Sequence, residues 1–269
     1  MRYLLSVLLA LNASLLAYPV DNLRLPSIRS IAMGGNISTQ SQLSNPALLV
    51  YNDKKSITIG YLNRFMVKEL GNLSASFNYP NRILPVAVDI SAFGYDKYRE
   101  MMLRVSLAKR LNSRWALGVG FHYSILQSEL NDNGRSRLST DIGATFKPFD
   151  NLLIGMLIMN LPSISLGDNN IDIDDFNYYI VEIGFQWHII NSMLIACSVG
   201  SDRDNSVVGD IGIEYTPFDT FHIRAGIKSS PLLPSFGVGY GFSHFKIDAS
   251  AIYHPVLGVS TAVGIAFDF

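Results

Sequence analysis

The chain has 269 residues, 48% hydrophobic and 16% charged, with a formal net charge of −1. A near-neutral chain of this kind offers no basic surface to nucleic acid. Its single cysteine, Cys197, excludes an internal disulfide framework, a cysteine-based zinc site and the lipid-bearing cysteine of a lipoprotein.

In chain order, residues 1–17 read as a secretory signal peptide. Arg2 is a basic start, Tyr3 to Ala17 is an apolar run broken only by Ser6, Asn12 and Ser14, and Ala17 is a small residue at a cleavage point. Beyond it no uninterrupted run of eighteen apolar residues occurs, so no membrane-spanning helix is expected in the mature chain. Residues 18–55 do not alternate, and Pro26, Gly34, Gly35 and Pro46 interrupt them. They nevertheless carry Ile31, Met33, Leu43, Ala47, Leu48, Leu49 and Val50, which need burial.

From residue 56 the pattern changes to strict alternation. Fourteen strands are expected near 56–63, 70–79, 84–93, 99–109, 114–127, 137–147, 151–160, 177–189, 192–200, 206–216, 220–228, 234–243, 245–254 and 256–269. Most are longer than the roughly five or six residues of a soluble strand and match the ~9–11 that a tilted membrane strand requires. "DIGATFKPFDNLLIGMLI" from Asp141 and "DIGIEYTPFDTFHIRAGI" from Asp210 share eight of eighteen letters. Each is read as a hairpin around a Pro-Phe-Asp turn. In the second, Ile211, Ile213, Tyr215, Phe221, Ile223, Ala225 and Ile227 share an apolar face, while Asp210, Gly212, Glu214, His222, Arg224, Gly226 and Lys228 share the other. The expected fold is therefore all-β: a closed, antiparallel transmembrane β-barrel of about fourteen strands, whose backbone groups pair internally because lipid cannot satisfy them. Its domains would be the signal peptide (1–17), an N-terminal luminal plug or hatch (18–55) and the barrel (56–269).

Aromatic residues give an independent sign. Trp115, Trp187, Tyr79, Phe146, Tyr215, Phe221, Phe242, Phe245 and Phe267 fall beside the short turns of one rim, and Tyr61, Tyr123, Tyr179 and Tyr253 approach the other. Two such girdles mark membrane interfaces. The long polar connections 128–137 and 161–177 are expected to be extracellular loops. The chain ends on Phe267 and Phe269, an aromatic pair expected to serve as the assembly signal for the barrel insertion machinery.

The inward face is expected to carry a polar network of Asp89, Arg104, Asp141, Glu182, Asp210, Glu214, Arg224, Lys228 and Asp248, with His222 and Lys246, among many glycines. Such glycines leave room for a plug, and a mixed set of charges can hold one by charge-assisted hydrogen bonds. The acidic loop 168–175 lacks the spacing of a calcium loop. The five histidines are dispersed, with no HExxH pair, no Gly-x-Ser-x-Gly and no phosphate loop. No metal, cofactor or enzyme activity is expected.

"RSIAMGGN" followed by "NPALL" resembles the N-terminal signature of the PorV/PorQ group of type IX secretion outer-membrane proteins, and "GGNISTQSQLSNPALL" is nearer to PorQ. The signature residues are Met33, Gly34, Gly35, Asn36, Asn45, Pro46 and Ala47. Gln42, Leu43 and Ser44 stand where that family often has an acidic pair. The group is similar in fold to FadL-type fatty-acid transporters, with fourteen strands and an N-terminal hatch. The resemblance implies a Gram-negative outer membrane as location and lipid as surroundings. It also implies a function in type IX secretion, as the anchor of a cell-surface or periplasmic protein. The alternative is a FadL-like transporter of hydrophobic small molecules, in which the hatch gives way and the ligand leaves through the wall. A strand break would favour that reading, and Pro85 is the candidate.

Overall fold

The structure is a computed structural model, and it describes residues 27–129, 131–166, 179–201 and 206–269. The signal segment, residues 18–26 and the acidic loop 168–175 lie outside the described residues.

Among the described residues fifteen strands form one sheet: β1 (Ser56–Asn63), β2 (Gly71–Tyr79), β3 (Val86–Tyr95), β4 (Tyr98–Arg110), β5 (Trp115–Ser128), β6 (Asn131–Phe149), β7 (Leu152–Met159), β8 (Ser163–Leu166), β9 (Ile180–Ile190), β10 (Met193–Ser201), β11 (Val207–Phe218), β12 (Phe221–Lys228), β13 (Leu233–Phe242), β14 (Phe245–His254) and β15 (Gly258–Asp268). Each pairs antiparallel with its chain neighbour around the ring, except that β9 follows β7. The sheet closes where β1 meets β15, from Ser56↔Asp268 to Asn63↔Thr261. It is thus a closed fourteen-strand antiparallel barrel with one extra strand, β8, which pairs with β6.

Alternation decides inside from outside. On β15, Val263, Ile265 and Phe267 face out and are exposed, as is Phe269 just after it, while Ser260, Ala262 and Asp268 are buried. On β11 the outward Ile211 is 52% exposed and the inward Asp210 only 8%. An outer surface this apolar is a lipid-facing wall, the reverse of a soluble sandwich. The aromatics cluster at the rim where the chain enters at Ser56 and ends at Phe269, called here the terminal rim. Trp115 stacks on Phe146 at 4.4 Å, and Phe245, Phe267 and Phe269 form a row that reaches Phe77.

The repeated Pro-Phe-Asp strings build the same device twice. The ladder slips by one residue between Phe146 and Phe149 on β6, and again between Tyr215 and Phe218 on β11. A bulge at these places lets a proline, which has no donor, sit near a strand end.

The expected loop at 161–177 begins instead as β8. Ile142↔Ile158 is the last described pair of β6 with β7, and Ser139↔Ser163 is the first with β8. Three steps along β6 are therefore matched by five along β7–β8. The excess forms a bulge at Asn160–Pro162, with Asn160 at φ 60. β8 exists because β6 is longer than its pattern suggested and offers a free ladder above the bulge. Pro85, by contrast, stands just before β3, where its carbonyl accepts from Ala108 N, and breaks no strand.

Candidate functional site

Residues 27–52 run along the inner face of the wall. Two short helices organise them: α1 (Ile28–Ala32) and a 3₁₀ turn at Pro46–Tyr51. Ser27 caps α1 by accepting from Ser30 N at 3.1 Å. Asn45 caps the 3₁₀ turn by accepting from Ala47 N at 3.0 Å, with Pro46 at the first helical position, where its missing N–H costs nothing. The Asn-Pro-Ala string is thus a helix start. Gly34 and Gly35 follow α1 with φ of 85° and 104°, a conformation that glycine adopts freely.

The wall receives this segment on glycines that pair across strands: Gly60↔Gly264, Gly118↔Gly143, Gly155↔Gly184 and Gly212↔Gly226. Ile28 lies over the first pair, Asn45, Pro46 and Ala47 over the second, Ser38 over the third and Met33 over the fourth. A Cβ on Gly212 would come within 2.6 Å of Met33, so no larger residue fits. Asn45 and Pro46 therefore lie against the wall at β5–β6, within the barrel. Leu48, Leu49 and Val50 are buried, the last two with Ala87, Ala108 and Ala116.

The inward charges form separate groups. In one, the Arg104 guanidinium stands 2.9 Å from Asp141 and donates to Ser44 O at 2.8 Å. The other oxygen of Asp141 faces His122 Nε2 at 3.3 Å and accepts from Asn160 N at 3.0 Å. Asp89 lies opposite Arg104 in the ladder and accepts from Ser76. A second group joins the segment to the other side of the wall. Glu214 accepts from Arg29 at 2.8 Å and from Arg224 at 2.6 Å, and Arg224 also pairs with Asp248. Glu182 accepts from Ile37 N and Ser38 N at 2.9 and 2.8 Å. Asp210 accepts from Ser198, pairs in register with Lys228 and lies beside Gly35. Lys246 does not join them: it is exposed and bonded to Asp268 at 2.7 Å.

Three members escaped sequence reading. His122 shares a face with Gly118 and Gly120, so alternation could have marked it. Arg29 and Asn160 lie outside regular alternation and carried no such signal. Met33 and Asn36 are buried, and Asn36 Oδ1 accepts from both the amide and the hydroxyl of Thr39 at 3.0 Å. Phe267 and Phe269 end the aromatic row on the outer wall, and Phe269 N donates to Lys55 O at 2.9 Å.

The lining is not polar throughout. Leu157, Met159 and Ile180 point inward beside the Asn160 bulge and pack on Ile37 of the segment, all four buried. Among the described residues no group of acids, histidines and cysteines is placed to hold a metal.

No protein-family model and no curated protein matches this chain. Solved structures do. The toluene transporter TbuX of Ralstonia pickettii is 14% identical, with a TM-score of 0.68 over 93% of this chain and 100% of its own. The toluene transporter TodX of P. putida is 12% identical, with a TM-score of 0.67 over 92% and 99%. A FadL homologue from Pseudomonas aeruginosa is 12% identical, with a TM-score of 0.57 over 91% and 98%. At these identities the likeness is one of fold. The chain has the architecture of FadL-like barrels; these structures do not extend it to the PorV/PorQ group in particular.

Proposed function

We propose that this chain is an outer-membrane channel for a small hydrophobic molecule, and that residues 27–52 act as its luminal plug. The observation that carries this reading is the apolar group Ile37–Leu157–Met159–Ile180 beside the Asn160 bulge. A barrel lumen is ordinarily polar, and an apolar lining suits an apolar passenger. The position matters too. One member, Ile37, belongs to the segment, so withdrawal of the segment uncovers the other three. The expected strand break at Pro85 is not found; Asn160–Pro162 forms a bulge through which the pairing with β6 continues, by bonds between Thr140 and both Leu161 and Pro162. Likeness of fold to two toluene transporters and a FadL homologue supports the same reading. Location in a Gram-negative outer membrane, after cleavage near Ala17, belongs to this proposal.

The anchor role in type IX secretion rests on the "RSIAMGGN" and "NPALL" resemblance alone. Those residues are the ones that cap helices and rest on wall glycines, which any packed luminal segment needs. The motif therefore does not separate the two readings.

The test is uptake. Vesicles carrying the full-length chain should take up labelled toluene or a long-chain fatty acid faster than empty vesicles. Equal rates for both compounds would overturn the channel reading. Stoichiometric co-purification with a surface or periplasmic protein would then restore the anchor role.

A further inference from the structure

One arc of the terminal rim carries charge that the chain does not balance. Three stretches lie side by side there: residues 53–55 before β1, the β2–β3 turn 80–85 and the β4–β5 turn 109–114. Lys55 stands 4.9 Å over the Tyr79 ring, beside the first turn, and Ala108 N donates to Pro85 O, which joins the first turn to the second. Together they hold six basic residues, Lys54, Lys55, Arg82, Lys109, Arg110 and Arg114, against one acid, Asp53. Arg110 is engaged with the luminal segment, donating to Val50 O at 2.7 Å. The other five are exposed, and none is paired with a carboxylate among the described residues.

The opposite ends of the same five strands behave differently. Residues 64–70, 96–100 and 129 hold four basic and four acidic side chains. Lys97 pairs with Glu129 at 3.2 Å and Arg99 with Asp96 at 3.8 Å. The imbalance therefore belongs to one rim and not to the strands.

Direction decides what the unpaired cations meet. Lys55 falls in alternation with Ile57 and Ile59, and Lys109 with Leu103 and Val105, all of them outward and exposed. Arg82 lies between them in the turn, next to Ile83 and Leu84, which are 71% and 40% exposed. Cations and aromatics at the edge of a lipid-facing wall stand at the headgroup level, with their stems on apolar surface and their charge in the polar layer. The molecule that borders such a surface is a lipid. A zwitterionic headgroup brings its own cation and cannot offset the excess of positive charge, whereas an anionic one can.

We infer that the terminal rim over β1–β5 binds anionic phospholipid, its headgroup phosphate held by Lys55, Arg82 and Lys109 and its acyl chains lying on Ile83, Leu84 and the adjoining wall. The site needs only the lipid-facing wall and is independent of the channel reading.

Tryptophan quenching tests it locally, because Trp115 opens β5 at this arc and Trp187 lies on the same rim beyond it, on β9. The full-length chain carrying Trp187→Phe is reconstituted in phosphatidylcholine vesicles with added brominated phosphatidylglycerol or brominated phosphatidylcholine. Phosphatidylglycerol should associate at Trp115 at least about fivefold more strongly, the gain that one cation at a lipid surface supplies, and high salt should shrink the difference. In the chain carrying Trp115→Phe, where Trp187 reports, the two lipids should quench nearly alike. Lys55→Gln, Arg82→Gln and Lys109→Gln together should remove the preference at Trp115, and heat-modifiable mobility on gels would show that the barrel is kept. Lys55→Arg with Lys109→Arg should retain it. Equal quenching by the two lipids at Trp115 would overturn the inference and leave the arc to an acidic protein. So would a preference as large at Trp187, one unchanged by high salt in the parent chain, or one that survives the triple variant. Loss of the preference in millimolar inorganic phosphate at constant ionic strength would assign the cations to a free anion and overturn the lipid. Vesicle uptake of hydrocarbon is unaffected by any of these outcomes, so the two proposals fail separately.

Discussion

Gly212 of β11 and Gly226 of β12 are directly paired across the ladder, and Met33 rests on both. Neither position has room for a Cβ: on Gly226 it would run into the backbone of Met33 and Gly34. The ladder itself needs no side chain there, because its hydrogen bonds are backbone to backbone. The glycine pair is therefore a seat for the segment and not a requirement of the wall.

Gly226→Val should accordingly dislodge the segment while leaving the barrel closed. Overpacking of a filled site typically costs about 1–3 kcal/mol, and here the cost falls on the segment. Planar-bilayer recordings should show a rise in conductance over the parent chain, and deletion of 27–52 should raise it further. Equal conductance in all three would show that the segment does not block the lumen.

Arg104 and Asp141 are both almost wholly buried. Asp141→Leu would leave the guanidinium without its carboxylate, a loss that typically costs about 3–5 kcal/mol for a buried pair. The midpoint of heat-modifiability should fall. Adding Arg104→Met should recover part of the loss, since it removes the guanidinium left without Asp141, although Asp89, opposite it in the ladder, then loses its neighbouring cation. A double variant no more stable than the single one would contradict this.

Val263 lies mid-strand on the outer wall, 52% exposed, with buried Ala262 beside it. Val263→Lys should destabilise folding in bilayers by about 2–4 kcal/mol, the expected range for a cation near the midplane. Ser260→Lys, on the inward face, should be tolerated better by the membrane, its penalty being steric together with loss of the bond that Phe65 N donates to Ser260 Oγ. Chemical unfolding from lipid vesicles measures both.

Phe269 packs against Phe267 at 5.8 Å and Phe77 at 6.5 Å. Phe269→Ser should lower the fraction of chain inserted as heat-modifiable barrel in membrane preparations, with Phe267→Ser acting in the same direction. Unchanged insertion in both would remove the terminal aromatics from the assembly signal.

Alternation alone determined most of the wall. A strand has a period of two whatever it pairs with, so the faces of β11, β12 and β15, the turns between them and the aromatic rims could be read one residue at a time. The helix start at Asn45–Pro46–Ala47 is an equally local signal, a capping Asn followed by Pro, but these residues figure in the sequence reading only as a family signature, with no helix read from them. What the sequence could not supply was register. Whether Gly118 meets Gly143, or Gly212 meets Gly226, depends on how far one strand slides along another. Nothing within a single strand specifies that distance. β8 was missed on this account, because its four residues become a strand only through the ladder that a longer β6 offers them. The charge groups were split for the same reason. Alternation put Arg104, Asp141, Glu214 and Arg224 on one face, but only closure of the ring set Arg104 beside Asp141 and brought Arg29 to Glu214, 185 residues away. Inside and outside are properties of each strand; who meets whom is a property of the closed barrel.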